Sequence, residues 1–334
     1  VKKIFALPFL FILLIISLSP AAPAQTITSP TADLWTAVPD SDLVVSLNVR
    51  RILNEALPKI LGDDPARRKD LADGLTGAKV LTGLDVDRIT RAVVAARLTG
   101  TGMDLNLQEL AVIVEGEFNY GDIKDAVKGN REMREEKYGA DTLLIFRASD
   151  DPKAKKSELV GVVMLGPNLL AAGYVNAVKR AADAFRDGKG RASPDLLTRS
   201  QSDPEALVSA AARIPATYLQ PKGMDASSNR LMRLLSSIKA LEASLRLGEN
   251  SLPLTVAVRA DSADTAGDIK CMLESIRTVA DFAITDKAVV KLLDDLKITL
   301  DGNAAAVQTE ISVDQIRSIL NPPKPAQATK PNKP

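Results

Sequence analysis

The 334-residue chain contains no histidine and only one cysteine, Cys271. Without histidine, the Ser-His-Asp and Cys-His nucleophile systems cannot be assembled. Zinc sites built on His or on paired Cys, and His-ligated haem, are excluded with them. A single Cys forms no intramolecular disulfide, so a core of this size must hold without one. Its expected role is a small, buried apolar residue on a helix. Aromatics are also scarce, at 4%. Past the apolar start they are Trp35, Phe118, Tyr120, Tyr138, Phe146, Tyr174, Phe185, Tyr218 and Phe282, scattered along the chain. No stacking platform for sugars or single-stranded nucleic acid is visible in that spacing.

Charge of one sign is lacking too, with 43 basic and 42 acidic residues. Setting aside Lys2, Lys3, Lys324, Lys330 and Lys333 at the two ends leaves 38 basic against 42 acidic, a body at −4. A nucleic-acid partner requires the opposite balance.

Residues 1–24 read as a cleavable signal peptide. Lys2 and Lys3 precede an apolar run from Ile4 to Leu18, and Ala22-Pro23-Ala24 offers the small residues a signal peptidase reads. The run is about 15 residues, against about 20 for a membrane-spanning helix. Cleavage after Ala24 predicts a periplasmic or secreted protein with no stable anchor; the alternative is an uncleaved one. Residues 25–33 form a short polar leader. Residues 321–334, rich in Pro and Lys, cannot bury enough apolar surface to order themselves and read as a disordered tail.

Between these ends, apolar periodicity alternates between two and about 3.6. The first run predicts a strand over 42–49, helices over 50–61 and 65–81, strands over 89–98 and 109–116, and a helix over 120–128. Strands over 135–138 and 142–147, a hairpin of 159–165 with 169–173, and a helix over 175–187 complete it. The second run predicts a strand over 206–214, a helix over 229–239, strands over 240–248 and 253–260, and a helix over 263–283. A helix over 287–296, a hairpin of 297–300 with 305–311, and a helix over 313–320 follow.

Three local likenesses occur in the same order in both runs. Gly121-Asp122-Ile123-Lys124 matches Gly267-Asp268-Ile269-Lys270, and the turn Gly166-Pro167-Asn168 matches Asp301-Gly302-Asn303. Val175-Asn176-Ala177-Val178-Lys179 then matches Val313-Asp314-Gln315-Ile316-Arg317. Together they predict an internal duplication: two similar α+β lobes, 34–190 and 191–320. Leu241, Ala243, Leu245 and Leu247 alternate with Glu242, Ser244 and Arg246. Such alternation marks an antiparallel sheet with one wet face. Each lobe is therefore expected as a mainly antiparallel, curved sheet with helices on one face.

Chemically suggestive motifs are few. Ser236-Ser237-Ile238-Lys239 fits S-x-x-K, which needs a lysine one helical turn from the serine, but no K-T-G follows and the nearest S-x-N, at Ser227-Ser228-Asn229, lies on the wrong side. The neighbouring acids Glu135-Glu136, Asp150-Asp151 and Asp294-Asp295 would point apart on a strand and diverge on a helix. Gly188-Lys189-Gly190 follows a helix and reads as its stop, and Gly100-Thr101-Gly102 lies between two strands. The basic clusters Arg67-Arg68-Lys69 and Lys153-Ala154-Lys155-Lys156 read as solvated. No catalytic, cofactor-binding or metal-binding residue is assigned.

The segment Pro39 to Leu61 (PDSDLVVSLNVRRILNEALPKIL) resembles the opening of uncharacterised secreted bacterial proteins of the DUF3352 kind, a domain of unknown function. Thr82-Gly83-Leu84-Asp85 and Glu135-Glu136-Lys137-Tyr138-Gly139 are similar to that group as well. These motifs are structural, so the resemblance implies an exported domain and no activity. Three functional expectations follow. The leading one is a non-enzymatic envelope protein that binds or scaffolds outside the cytoplasm, needing no cofactor. A carrier of an apolar ligand such as lipid is the alternative, and a histidine-free hydrolase using Ser236 and Lys239, or an acid pair, comes third.

Overall fold

The computed structural model describes residues 33–100, 106–130, 133–147, 159–215, 230–283 and 294–320. The leader over 1–24, nearly all of 25–33, most of the helix expected over 287–296, and the tail over 321–334 lie outside the described residues.

A 3-10 turn, Leu34–Ala37, leads into β1 (Leu43–Leu47). Asn48 caps α1 (Val49–Arg51) by accepting from the Arg51 N–H at 3.2 Å. A π-helical turn over Ile52–Ala56 joins α1 to α2 (Leu57–Leu61). Pro58 explains that turn: it has no N–H to offer Asn54, so the ladder slips one residue and Leu57 N–H donates to Ile52 O. Next come α3 (Pro65–Thr82), β2 (Ile89–Thr99), β3 (Asn106–Gly116), α4 (Tyr120–Asn130), β4 (Met133–Tyr138) and β5 (Asp141–Arg147). β6 (Leu159–Gly166), β7 (Leu169–Tyr174), α5 (Val175–Asp187) and α6 (Pro194–Ser200) close the first run. The second run holds β8 (Ala206–Arg213), α7 (Arg230–Ser236), β9 (Ile238–Arg246), β10 (Ser251–Ala260) and α8 (Ala263–Ala283). It ends with β11 (Lys297–Asp301), β12 (Ala304–Ser312) and α9 (Val313–Leu320).

The described strands form one antiparallel sheet of twelve, in the order β11-β12-β10-β9-β8-β1-β2-β3-β7-β6-β5-β4. The α+β class and antiparallel pairing follow the sequence reading. The described sheet runs on without a break across the expected join of the two lobes. β1 pairs with β8 from Leu43↔Ala212 to Leu47↔Val208, joining the two runs by their first strands.

Helices on one face only is corrected by the first run, where both faces are covered. On the front face Leu47, Val94, Val112, Leu144 and Leu170 pack beneath α1 to α4. On the back face Val44, Val93, Ile113, Leu143 and Leu169 pack against α5, α6 and the 3-10 turn. The sequence carries the reason in β2, where Ala92 to Ala96 are five consecutive buried residues; a strand apolar without alternation is buried on both sides. Ala177, Ala181 and Ala184 on α5 are fully or almost fully buried, and small side chains let that helix sit close to the sheet.

In the second run α7 and α8 lie on the front face, while α6 covers the back of β8, where Ala211 is fully buried beside Leu196. Leu234 and Leu235 of α7 and Ala266, Ile269 and Leu273 of α8 pack on Ile238, Ala260 and Ala305. The helix that follows β12 turns away from the back face. A reciprocal capping box starts α9: Gln315 N–H donates to Ser312 Oγ at 3.1 Å, and Ser312 N–H donates to Gln315 Oε1 at 2.8 Å. Val313 and Ile316 then join the front-face cluster beside α2.

Candidate functional site

The expected nucleophile pair does not assemble. The helix expected over 229–239 ends at Ser236, and Lys239 lies on β9, exposed, instead of one helical turn further on. Ser236 Oγ donates to Arg233 O at 2.8 Å within its own helix. The helix stops there because Ile238 and Ala240, two apart, are both buried as strand residues.

The acid pairs diverge as strand geometry requires. Glu135 meets Lys124 of α4 on the front face at 2.7 Å, and Glu136 meets Lys179 of α5 on the back at 2.6 Å. Asp294 and Asp295 are exposed, and Asp150-Asp151 lies outside the described residues, as does Lys153-Ala154-Lys155-Lys156. Gly188 is the left-handed C-cap of α5, at φ 70°, so that motif ends a helix. Of Gly100-Thr101-Gly102 only Gly100 is described. In the first basic cluster, Arg67 pairs with Asp64, Arg68 with Asp63 and Lys69 with Asp73. Cys271, expected to be buried, is exposed. Its helix turns Ala266, Ile269 and Leu273 to the sheet, and Cys271 sits about 200° around from Ile269.

Polar side chains do converge at one place on the back face of the second run. Glu242 Oε1 accepts from Arg199 Nη1 at 2.6 Å and from Arg259 Nε at 3.0 Å. Arg259 Nη1 donates to Asn303 Oδ1 at 2.8 Å, and Arg199 Nε donates to Asp195 at 2.9 Å. Burial alone would raise the Glu242 carboxyl, but the hydrogen bonds from Arg259 and Arg199 outweigh it and hold its pKa below the usual range. Every one of these charges is answered within the network, which therefore fastens α6 and the Asn303 turn to the sheet. Among the described residues no three of His, Cys, Asp and Glu gather as a metal ion would need.

The front face offers a different kind of site. One cross-strand row can be followed through ten strands. In the first run it comprises Val162, Ala172, Val112, Val94 and Val45. Across the β1–β8 pairing it continues as Ala210, Ala243, Val256, Val307 and Ile298. Every position is apolar and none is aromatic. Val94, Val112 and Val162 are 6–8% exposed beneath the helices of the first run. The five positions from Ala210 to Ile298 are only half-buried.

The row lies between two packed clusters. On one side Val208 and Leu245 pack with the cluster of α2 and α9. On the other Leu241, Val258 and Ala305 pack with α7 and α8. Among the described residues Ala210, Ala243, Val256 and Val307 belong to neither. Beside them the hydroxyl of Thr309 is buried without a hydrogen-bond partner. The result is an aliphatic strip, floored by small side chains and walled by helices. Sequence reading found the alternation of Ala243 with Glu242 and Ser244. It could not find the strip, because residues from five strands line up only once pairing register is known.

No helix among the described residues is long and apolar enough to cross a membrane. No protein-family model matches the sequence, and no match is found among curated proteins. Among solved structures the chain is similar to crystal form III of TP0453, at 11% identity over 87% of this chain and 99% of that one, with a TM-score of 0.47. Crystal form I is similar at 11% identity over 87% and 98%, with a TM-score of 0.46, and form IV at 12% over 87% and 97%, with a TM-score of 0.44.

Proposed function

We propose that this chain is an exported, non-enzymatic binding protein that carries an extended apolar ligand, the acyl chain of a lipid, along the strip from Ala210 to Ile298. One observation carries the reading: in the first run three of the five positions of the row, Val94, Val112 and Val162, are buried beneath helices, whereas all five in the second are half-buried. Aliphatic side chains without charge or aromatic rings suit alkyl groups, and a sugar or nucleobase would want polar groups and ring faces. Export is supported by Lys2-Lys3, the apolar run and Ala22-Pro23-Ala24.

An internal duplication accounts for the difference between the runs. Outward from the centre the sheet reads β1-β2-β3-β7-β6 on one side and β8-β9-β10-β12-β11 on the other. Helices follow the third strand of each series, α4 and α8, and the matching residues Ile123 and Ile269 are both buried on the front face. In this reading the second copy lacks β4 and β5 and has redirected its last helix to α2, freeing a strip for a ligand.

Native mass spectrometry of protein purified from its own envelope tests the proposal. Copurifying lipid, released by unfolding, is the expected outcome. Bare protein mass throughout counts against a carrier.

A further inference from the structure

We infer that the outer edge of β11 pairs with the same edge of a second copy, giving a two-fold dimer whose sheet runs through both chains. Among the described residues β11 pairs with β12 alone, and every residue of it except Ile298 is exposed. β6, fifth from the centre on the other side as β11 is on this one, carries β5 on its outer side from Leu143↔Val163 to Arg147↔Leu159. An antiparallel strand beyond β11 would take the place that β5 has there.

Turn geometry fixes which backbone groups the edge offers. Asp301 and Ala304 flank the two-residue turn Gly302-Asn303, with Gly302 at φ 56°, so they form a hydrogen-bonded pair. Alternation along the ladder then commits the N–H and C=O of Lys297, Thr299 and Asp301 to β12. Those of Ile298 and Leu300 point outward. Two such edges, set antiparallel about Thr299, bring Ile298 opposite Leu300 of the second copy, and each such pair can exchange both its hydrogen bonds.

The same register matches the side chains. Lys297 meets Asp301 of the second copy on the back face, at both ends, with Thr299 facing its own counterpart between them. Ile298 meets Leu300 on the front. Opposite charges and facing aliphatic groups are favourable cross-strand pairs. Among the described residues neither Lys297 nor Asp301 is engaged in an ion pair, and Leu300 is 47% exposed. Arg277 of α8 donates to Leu296 O at 2.9 Å, beside the start of β11, and its neighbour Ile276 is 56% exposed. Only Val80 and Leu81 on α3 are comparably exposed large apolar groups among the described residues, so this edge is a main place with apolar surface to cover.

The opposite edge, β4, is guarded against pairing with itself. Antiparallel over Met133–Tyr138, it would set Glu135 against Glu136 and Arg134 against Lys137, like charges facing. Pairing through β11 closes on its own symmetry axis, so association stops at two.

Sedimentation equilibrium of the full chain over a wide range of protein concentration tests the inference. A reversible dimer is expected, weaker at high salt because its ion pairs are exposed. Lys297→Glu and Asp301→Lys each set like charges opposite and should weaken dimerisation about tenfold. Mixing the two variants, or joining both substitutions in one chain, sets opposite charges facing again and should restore it. Leu300→Pro removes an outward N–H, leaves the bonds to β12 in place and should abolish the dimer. Thermal melting checks that each variant folds, and either charge reversal serves if the other does not. A monomer at every concentration overturns the inference. A dimer that no folded variant weakens lies elsewhere on the molecule and overturns it too. Open-ended growth, which would join β11 to β4, does the same. None of these outcomes bears on the carrier reading.

Discussion

Glu242 shows how a charge can sit on a half-covered sheet face. Its side chain is 17% exposed and is held by two guanidinium groups. Glu242→Gln should lower stability by about 2 kcal/mol, since two cations would then face each other without the anion between them. Because its folded pKa is depressed, the wild-type contribution is complete above the ordinary value of about 4.3 and fades as pH falls through the folded one. The stability gap between wild type and Glu242→Gln in denaturant melts should therefore narrow as pH is lowered from about 4.3, and a gap that widens with acid would contradict the assignment. Arg317 acts at longer range. Its Nε donates to Ile60 O at 2.9 Å and its Nη2 to Lys59 O at 2.8 Å, serving carbonyls that the end of α2 leaves open. Arg317→Ala should cost about 1–2 kcal/mol, and Arg317→Lys should recover little of it because an ammonium cannot reproduce the fork. Full recovery by lysine in chemical denaturation would show that charge alone mattered.

Among the elements, α8 and α3 contrast. α8 presses Ala266 and Ile269 onto the sheet, both with no exposed surface. Ile269→Ala should destabilise by about 2–4 kcal/mol, measured by thermal unfolding. Cys271→Ser on the outer side should change stability by less than about 0.5 kcal/mol, and the native thiol should react with a thiol reagent without denaturant. α3 buries only Leu71 and Ala78 and leaves Val80 and Leu81 more than half exposed. What was legible in the chain follows the strength of each local signal. The helix Val175–Asp187 is recovered to the residue because apolar positions recur at helical spacing and Gly188 ends it. α6 was overlooked although Ser193-Pro194 spells its start, with Ser193 Oγ accepting from Leu196 N–H at 3.3 Å; seven residues carry too few periods to register. The π-helical turn at Ile52–Ala56 left no trace in hydrophobic pattern, since it alters hydrogen bonding without moving the buried side. The strip was invisible for another reason: alanine and valine read as ordinary core until pairing shows which of them share a row.

In the whole molecule, the pairing of β1 with β8 joins the two runs into one sheet. It brings Leu43 opposite Ala212, so native contacts of very long sequence separation form at the centre of the sheet. Folding should be slow for that reason, since closing such a loop precedes any gain from it. It also has a consequence for synthesis. A polypeptide emerging amino end first will complete its first seven strands while the outer hydrogen-bonding rim of β1 still lacks its natural mate. Such a rim is an invitation to strange backbones. A fragment ending near residue 200 should accordingly self-associate beyond a dimer in size-exclusion chromatography where the full chain does not. In the cell, the interval until Ala206–Arg213 arrives is when a nascent copy is most in need of a chaperone's shelter.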